Sequence, residues 1–122
     1  MRAERELMRG AGPVAVMKLL ERGPMYGYEL VEALAQRTSG VLDMGQSTLY
    51  PLLYNLEAKG YIEGFWKESD AGRDRKYYKL TEAGIKRLAS DVSQWKALAE
   101  AMGGLGILGG GTNATPATGG AR

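Results

Sequence analysis

The apolar positions of the chain are most regular over residues 48–59. Leucines recur there at i, i+3, i+4 and i+7, a spacing that predicts a helix with one buried stripe. These leucines are Leu49, Leu52, Leu53 and Leu56. The helix is expected to start near Ser47 or Thr48, with Pro51 in or near its first turn, and to end at a Lys59-Gly60 cap.

The outward face of this helix has a distinct composition. It consists of Ser47, Pro51, Tyr54 and Ala58, with Tyr50 and Asn55 on its flanks. No acid occurs on this helix before Glu57, and hydroxyl, amide and phenol groups are donors suited to phosphates and base edges. The alternative is a polar face that is simply solvated.

The same reasoning predicts three more helices and one hairpin. The first helix is expected to start at Gly12-Pro13, with Pro13 in its first turn, and residues 3–9 form an arm or a short helix. Its broad apolar face is expected to consist of Val14, Val16, Met17, Leu19 and Leu20. The second is expected over residues 26–36, with Leu30, Val31 and Leu34 inward. Aromatic-rich strands are predicted at residues 61–67 and 75–80, and Thr81 is expected to cap a final helix.

The order of these elements predicts the fold class. Three short helices followed by a two-stranded ribbon give a mainly α protein with a small β-hairpin, arranged as a winged helix-turn-helix. The expected organisation is a DNA-binding domain at residues 1–80, a dimerisation helix at 81–102 and a flexible glycine-rich tail at 103–122. In this fold the helix over residues 48–59 would enter the major groove of double-stranded DNA.

The hairpin turn adds positive charge to this picture. Arg73, Arg75 and Lys76 lie at or beside the turn, where they could reach phosphates or the minor groove. The alternative is a charged turn that only keeps the ribbon solvated. The ribbon also carries five aromatic residues, most of which are interpreted as core packing: Tyr61, Phe65, Trp66, Tyr77 and Tyr78.

The final helix has apolar residues at alternating spacings of three and four. These are Ile85, Leu88, Val92, Trp95, Ala99 and Met102. The stripe is a heptad seam longer than so small a domain can cover, and it predicts a homodimer. Two-fold symmetry would present two reading helices to a pseudo-palindromic operator, with half-sites about 34–36 Å apart. Small side chains beside Trp95 would leave room for a flat aromatic guest. The alternative is that Trp95 is only a large packing residue of the dimer interface.

Composition excludes several classes of protein. The 122 residues contain no cysteine and no histidine, which removes disulfides, thiol or imidazole catalysis and the usual soft-metal ligands. The net charge of +2 is compatible with nucleic acid but does not prove it. No signal peptide or membrane span is recognisable, and a cytoplasmic location is expected. No metal site, cofactor or catalytic grouping is expected, although an enzyme built on Tyr, Lys and carboxylates stays open as a weak alternative.

Three motifs resemble the signature of PadR-type transcriptional regulators. They are GPMYGYEL at residues 23–30, TLYPLLYNLEAKGYI at 48–62 and GRDRKYYKLTEAG at 72–84. The resemblance extends over about residues 6–102, and a single helix after the wing is similar to the short PadR subgroup. It implies a dimeric winged helix-turn-helix that mostly represses transcription and in several members is released by a small molecule.

The resemblance also implies roles for individual residues. The positions that would contact DNA are Tyr28, Ser47, Thr48, Tyr50, Pro51, Tyr54, Arg73, Arg75 and Lys76. The positions that would line an aromatic-ligand pore at the dimer interface are Val14, Leu88, Val92, Trp95 and Ala99. A winged-helix module that binds protein through the same surfaces, without specific DNA binding, is the alternative function.

Overall fold

The computed structural model describes residues 1–68 and 70–109. Its elements are α1 (Arg5–Leu20), β1 (Met25–Tyr26), α2 (Gly27–Arg37), α3 (Gln46–Ala58), β2 (Ile62–Glu68), β3 (Asp74–Leu80) and α4 (Glu82–Gly104). This is the predicted winged helix-turn-helix, mainly α with a small antiparallel sheet. The chain divides into two compact units, Met1–Leu88 and a second that begins at Ala89, so α4 contributes to both.

The core of the first unit consists of the inward faces that periodicity predicted. Its most deeply buried helical side chains are Val16, Met17, Leu20, Leu30, Leu34, Leu49, Leu53 and Leu56. Three residues expected to face inward, Val14, Val31 and Leu52, are only half-buried. The helices α1, α2 and α3 therefore pack on one another through apolar stripes and leave the opposite face of α3 exposed.

The predicted start of the first helix at Gly12-Pro13 was wrong. Helix α1 begins at Arg5, and Pro13 lies in its interior, where it removes one backbone donor. Tertiary packing compensates for that loss: Met8 is buried, and the Ala3 N–H donates to the Val41 carbonyl at 2.9 Å. The segment proposed as an arm or short helix is for the most part the first two turns of α1.

Helix α3 begins one residue before the predicted start. Gly45 is its N-cap, and the Leu49 N–H donates to the Gly45 carbonyl at 3.0 Å. Pro51 is the sixth residue, just beyond the first turn. Ser47 and Pro51 are both exposed, so the Ser47 carbonyl that loses its helical donor lies on the solvent side.

The ribbon has a third strand that the pattern did not predict. Strand β1 pairs antiparallel with β3 through Met25–Tyr78 and Tyr26–Tyr77, which gives the order β1-β3-β2. Tyr78 is buried at the centre of the sheet, and Tyr61, Phe65 and Tyr77 are half-buried. The prediction that these aromatic residues pack in the core is therefore confirmed for most of them.

Trp66 is the exception to that interpretation. Its side chain is 68% exposed, so it does not pack in the core. It pairs with Lys76 in the half of the ribbon nearer the hairpin turn. Alternation along a strand determines which face a residue occupies, but not whether another element covers that face.

Thr81 caps the start of α4, as the sequence predicted. The Thr81 hydroxyl accepts a hydrogen bond from the Gly84 N–H at 3.0 Å and donates to the Gly60 carbonyl at 2.5 Å. The Thr81 N–H donates to the Tyr61 carbonyl at 3.1 Å. Helix α4 extends to Gly104, two residues beyond its predicted end, and residues 110–122 of the predicted tail lie outside the described residues.

Candidate nucleic-acid interface

A groove of about 660 Å³ runs between the start of α2, the exposed side of α3 and the β2–β3 ribbon. We call it the tyrosine groove. Six of the nine residues predicted to contact DNA line it: Tyr28, Tyr50, Tyr54, Arg73, Arg75 and Lys76. Tyr28 and Tyr54 are 49% and 57% exposed, so their phenol rings are available to a partner.

Gly27 positions Tyr50 within the groove. A Cβ added at Gly27 would lie 2.8 Å from Cζ of Tyr50, which is closer than real Cβ atoms approach a neighbour. The missing side chain therefore lets the Tyr50 ring lie directly against the first turn of α2. The ring centroid of Tyr54 is 6.4 Å from that of Tyr50, one turn further along α3. The two phenols form the α3 wall of the groove.

Tyr78 lies beneath these two rings. Burial raises the pKa of its phenol to about 12, and the neighbouring Glu57 carboxylate, Tyr54 and Tyr50 add smaller contributions in the same direction. Near pH 7 the phenol is protonated and neutral, as an unperturbed tyrosine also is. It forms the floor of the groove without adding negative charge.

Two arginines give the ribbon side of the groove its positive charge. The guanidinium of Arg75 lies 4.4 Å from the ring centroid of Tyr26, in a cation–π contact that holds it at the edge of the groove. Tyr26 is in turn packed edge-on against Tyr77, at 5.4 Å between ring centroids. Arg73 is exposed beside the turn of the hairpin. Arg75 is thus pre-positioned, whereas Arg73 projects into solvent.

Lys76 differs from the two arginines because it already has a partner. Its Nζ lies 3.5 Å from Oε1 of Glu57 and 5.4 Å from the ring centroid of Tyr78. The absence of a side chain at Gly64 leaves space for this ion pair on the inner face of the ribbon. An ammonium neutralised in this way has less to offer a phosphate than either arginine.

The other three predicted positions lie along α3. Ser47, Thr48 and Pro51 are all exposed, as the outward face required. Thr48 and Pro51 line a second cavity, between α1 and α3, rather than the tyrosine groove. The predicted reading surface therefore extends across α3 and is bordered by a concave surface on each side.

Five residues that line the groove were not among the predicted contacts: Tyr26, Gly27, Gln46, Trp66 and Tyr78. A usable signal existed for Trp66, which shares strand parity with Ile62 and Gly64 on the inner face of β2. Tyr26 belongs to a two-residue strand, too short for any periodicity to reveal. Gln46 lies one residue before the predicted helix start.

The residues assigned to a ligand pore fall in different units. In the first unit Val14 is half-buried and Leu88 is only 3% exposed. In the second unit Val92 is half-buried, Trp95 is 42% exposed and Ala99 is exposed. Trp95 therefore offers an uncovered aromatic surface on α4.

Within residues 1–68 and 70–109, no group of three or more His, Cys, Asp or Glu side chains could hold a metal ion. None of the helices found there is both long and apolar enough to cross a membrane.

Several solved structures of transcriptional regulators are similar to this chain. A Streptococcus transcriptional regulator is 33% identical, with a TM-score of 0.75, and the match covers 84% of this chain and 99% of that one. A PadR-like regulator from Bacillus cereus is 27% identical, with a TM-score of 0.74 and coverage of 82% and 95%. A PadR family regulator from Eggerthella lenta is 37% identical, with a TM-score of 0.71 and coverage of 82% and 85%.

Residues 16–90 match the sequence model of the transcriptional regulator PadR-like family. That range includes α2, α3, the ribbon and the first turns of α4, and so contains the whole tyrosine groove. The motifs quoted from the sequence all lie inside it. The chain belongs to the PadR-like family of transcriptional regulators.

Proposed function

We propose that the protein is a sequence-specific DNA-binding repressor in which α3 enters the major groove and the ribbon contacts the backbone. The observation that carries this proposal is the tyrosine groove, which brings tyrosines of α2 and α3 next to the arginines of the wing. The sequence of α3 before Glu57 holds no acid that would repel phosphates.

The two walls of the groove would have different roles in DNA binding. Tyr50 and Tyr54, with Ser47, Thr48 and Pro51 along the same helix, would face base edges and sugars. Arg73 and Arg75, with a contribution from Tyr28, would fix the register of the protein through phosphates. Lys76 would act mainly through its ion pair with Glu57, by holding the ribbon against α3.

The functional unit in this proposal is a homodimer formed through α4. Val92, Trp95 and Ala99 fall on one face of that helix, and Trp95 leaves much of its ring uncovered in the single chain. A two-fold dimer matches a pseudo-palindromic operator, and occupying a promoter in this way blocks transcription.

We further propose that a small aromatic ligand releases the repressor. The two Trp95 rings of a dimer would form the flat walls of the ligand site, lined also by Val14, Leu88, Val92 and Ala99. Stacking on exposed indole rings suits a planar aromatic guest. In a Trp66→Phe variant, where Trp95 is the one remaining tryptophan, quenching of tryptophan fluorescence by candidate ligands would report their binding.

The experiment that tests the proposal is fluorescence anisotropy with labelled DNA from upstream of the protein's own gene. A scrambled duplex serves as control, and both duplexes are measured at two or more salt concentrations. We expect salt-sensitive binding with at least about a thousandfold preference for the native sequence. Equal, weak binding to both duplexes would instead call for a selection from random DNA. If that selection also failed, binding of a protein partner would become the better explanation.

Arg73→Gln, with Arg37→Gln on α2 as matched control, tests the role of the wing. Removal of one cation that neutralises a phosphate should reduce the slope of log affinity against log salt by about 0.9. We expect this for Arg73→Gln only. An unchanged slope in that variant would mean that the wing is only a solvated turn and does not contact phosphates.

A further inference from the structure

The indole of Trp66 is a large aromatic group that the fold of the single chain does not use. It is 68% exposed, although it lines the tyrosine groove. The neighbouring ring of Phe65, by contrast, stacks on Tyr77 at 5.9 Å between ring centroids. Within the described part of the chain, none of the close ring–ring or cation–π contacts involves Trp66. Its aromatic face is therefore available to a partner.

The wall of the groove beside Trp66 offers little free charge. Lys76 is the residue opposite Trp66 on the ribbon, and side chains paired in this way project from the same face of a sheet. The Lys76 ammonium lies 3.5 Å from the Glu57 carboxylate, which largely neutralises it. Arg73 and Arg75 line the same groove. Trp66 therefore lies among groups proposed to hold phosphates, but the surface that it offers is apolar.

The DNA backbone contains a group that suits an indole. Each deoxyribose presents C–H groups between two phosphates, and an indole combines a large apolar face with one donor, Nε1–H. We propose that Trp66 packs its ring on a deoxyribose of the bound DNA and donates a hydrogen bond from Nε1 to the adjacent phosphate. This assignment rests on the proposed function, since it concerns the same groove and the same DNA.

The contact of Trp66 contributes to affinity in a different way from the arginines. A cation that neutralises a phosphate releases counterions, so its contribution falls as the salt concentration rises. Burial of an apolar ring releases water instead, and its contribution does not fall with salt. For a chain with a net charge of +2, Trp66 thus supplies a part of the DNA affinity that persists when charges are screened.

Anisotropy over a series of salt concentrations tests this difference, with the duplex from upstream of the protein's own gene or from the random-DNA selection. Trp66→Ala should lower affinity at least about fivefold at every salt concentration, with an unchanged slope of log affinity against log salt. Leu7→Ala is the matched control, because Leu7 is also 68% exposed but lies on α1 outside the groove. The control should bind the duplex as the wild type does.

A second measurement needs no truncated side chain. The chain contains two tryptophans, so the wild type labelled with 5-fluorotryptophan should give two fluorine NMR resonances, and Trp66→Phe identifies which belongs to Trp66. The difference in chemical shift between H2O and D2O reports the exposure of each ring to solvent. This difference should be large for Trp66 in the free protein and should mostly disappear when the duplex binds.

Three results would overturn the assignment while leaving DNA binding in place. The first is a Trp66 resonance that stays exposed to solvent in the wild-type complex. The second is a Trp66→Ala protein that binds the duplex as tightly as Leu7→Ala does. The third is a reduced salt slope in Trp66→Ala, which would mean that the indole only positions the cations of the wing.

Failure of the proposed function has a different signature. A wild type that binds native and scrambled duplexes equally, and selects no sequence from random DNA, would contradict the repressor proposal and the Trp66 contact together. Specific binding with an exposed Trp66 would contradict the Trp66 contact alone.

Discussion

Gly27 shows how a missing side chain can position a neighbouring one. The Tyr50 ring occupies the space that any Cβ at this position would need, although Gly27 begins a helix where alanine would otherwise be preferred. The motif at residues 23–30 therefore has glycine at position 27 because of the packing of Tyr50 in the groove, and not because of the helix that Gly27 begins.

Gly27→Ala should accordingly weaken both DNA binding and the fold. Displacement of the Tyr50 ring should reduce operator affinity at least about tenfold, and overpacking should cost about 1–3 kcal/mol of unfolding free energy. Urea unfolding and anisotropy measure the two effects. Gly10→Ala is the control, since its Cβ meets nothing within 4 Å and should stabilise α1 by about 0.5–1 kcal/mol. A Gly27→Ala protein that binds DNA normally would remove Tyr50 from the interface.

The buried phenol of Tyr78 gives the fold a dependence on high pH. Because its pKa is raised from 10.0 to about 12 in the folded state, the native protein keeps this proton at pH values where the unfolded chain has lost it. Its stabilising effect is complete below pH 10 and is lost between about pH 10 and pH 12. The raised pKa corresponds to about 3 kcal/mol.

Comparison of wild type with Tyr78→Phe isolates this effect. The difference in unfolding free energy between the two proteins should be constant up to about pH 9. Above pH 10 the wild type should lose up to about 3 kcal/mol relative to the variant, measured by urea unfolding. A difference that stays constant to pH 12 would mean that Tyr78 is not desolvated in solution.

At the scale of elements, the junction between the ribbon and α4 depends on close backbone packing. A Cβ at Gly84 would lie within 2.9 Å of the carbonyl carbon of Tyr61 and 3.0 Å of Cδ2 of Leu80. A backbone group cannot turn away as a flexible side chain can. Gly84 therefore allows the first turn of α4 to lie on the chain segment that Thr81 already holds by hydrogen bonds.

Gly84→Ala should therefore destabilise the protein by about 2–4 kcal/mol, although alanine is the better helix former. Gly104→Ala, in the last turn of the same helix, meets no neighbour within 4 Å and should be neutral or slightly stabilising. Thermal unfolding of both variants checks the contrast. Equal stability of the two would show that α4 can shift away from Tyr61 at little cost.

Elements with a regular pattern could be predicted from the sequence, and those fixed by tertiary packing could not. The inward leucines of α3 and the Thr81 cap depend on local periodicity and local hydrogen bonds, so both were readable. The start of α1 depends on the burial of Met8 and on a backbone bond of Ala3, and these interactions override the signal of Pro13.

The candidate site divides in the same way. Residue types on α3 and in the wing indicated the tyrosine groove, because phenols and arginines at positions expected to be exposed can be recognised from the sequence. The pairing of Lys76 with Glu57 joins residues 19 positions apart, and the cavity between α1 and α3 joins segments about 40 positions apart. Neither of these arrangements follows from local spacing.

At the scale of the whole molecule, the net positive charge is small, but the cations are concentrated at particular places on the surface. The net charge is only +2, yet the arginines of the wing and the cations at the start of α1 border opposite sides of α3. A protein that bound DNA through bulk charge alone would need a larger excess of cations. Specific contacts, repeated by symmetry in a dimer, suit this modest charge better.

The proposed dimer makes a prediction about two alanines of α4. Ala99 lies about 40° around the helix from Trp95 and Ala97 about 200°, so only Ala99 shares the proposed interface. Both side chains are exposed in the single chain. Ala99→Asp should bury two like charges at the two-fold axis, whereas Ala97→Asp introduces the same charge on the opposite face.

Sedimentation equilibrium should therefore show a dimer for the wild type and for Ala97→Asp, and a shift toward monomer for Ala99→Asp. Because a monomer presents one reading helix instead of two, operator affinity should fall at least about a hundredfold in the same variant. A monomeric wild type, or equal behaviour of the two variants, would contradict dimerisation through this face of α4. The Trp95 ligand site would then lose its second wall, while the tyrosine groove, which is complete within one chain, would be unaffected.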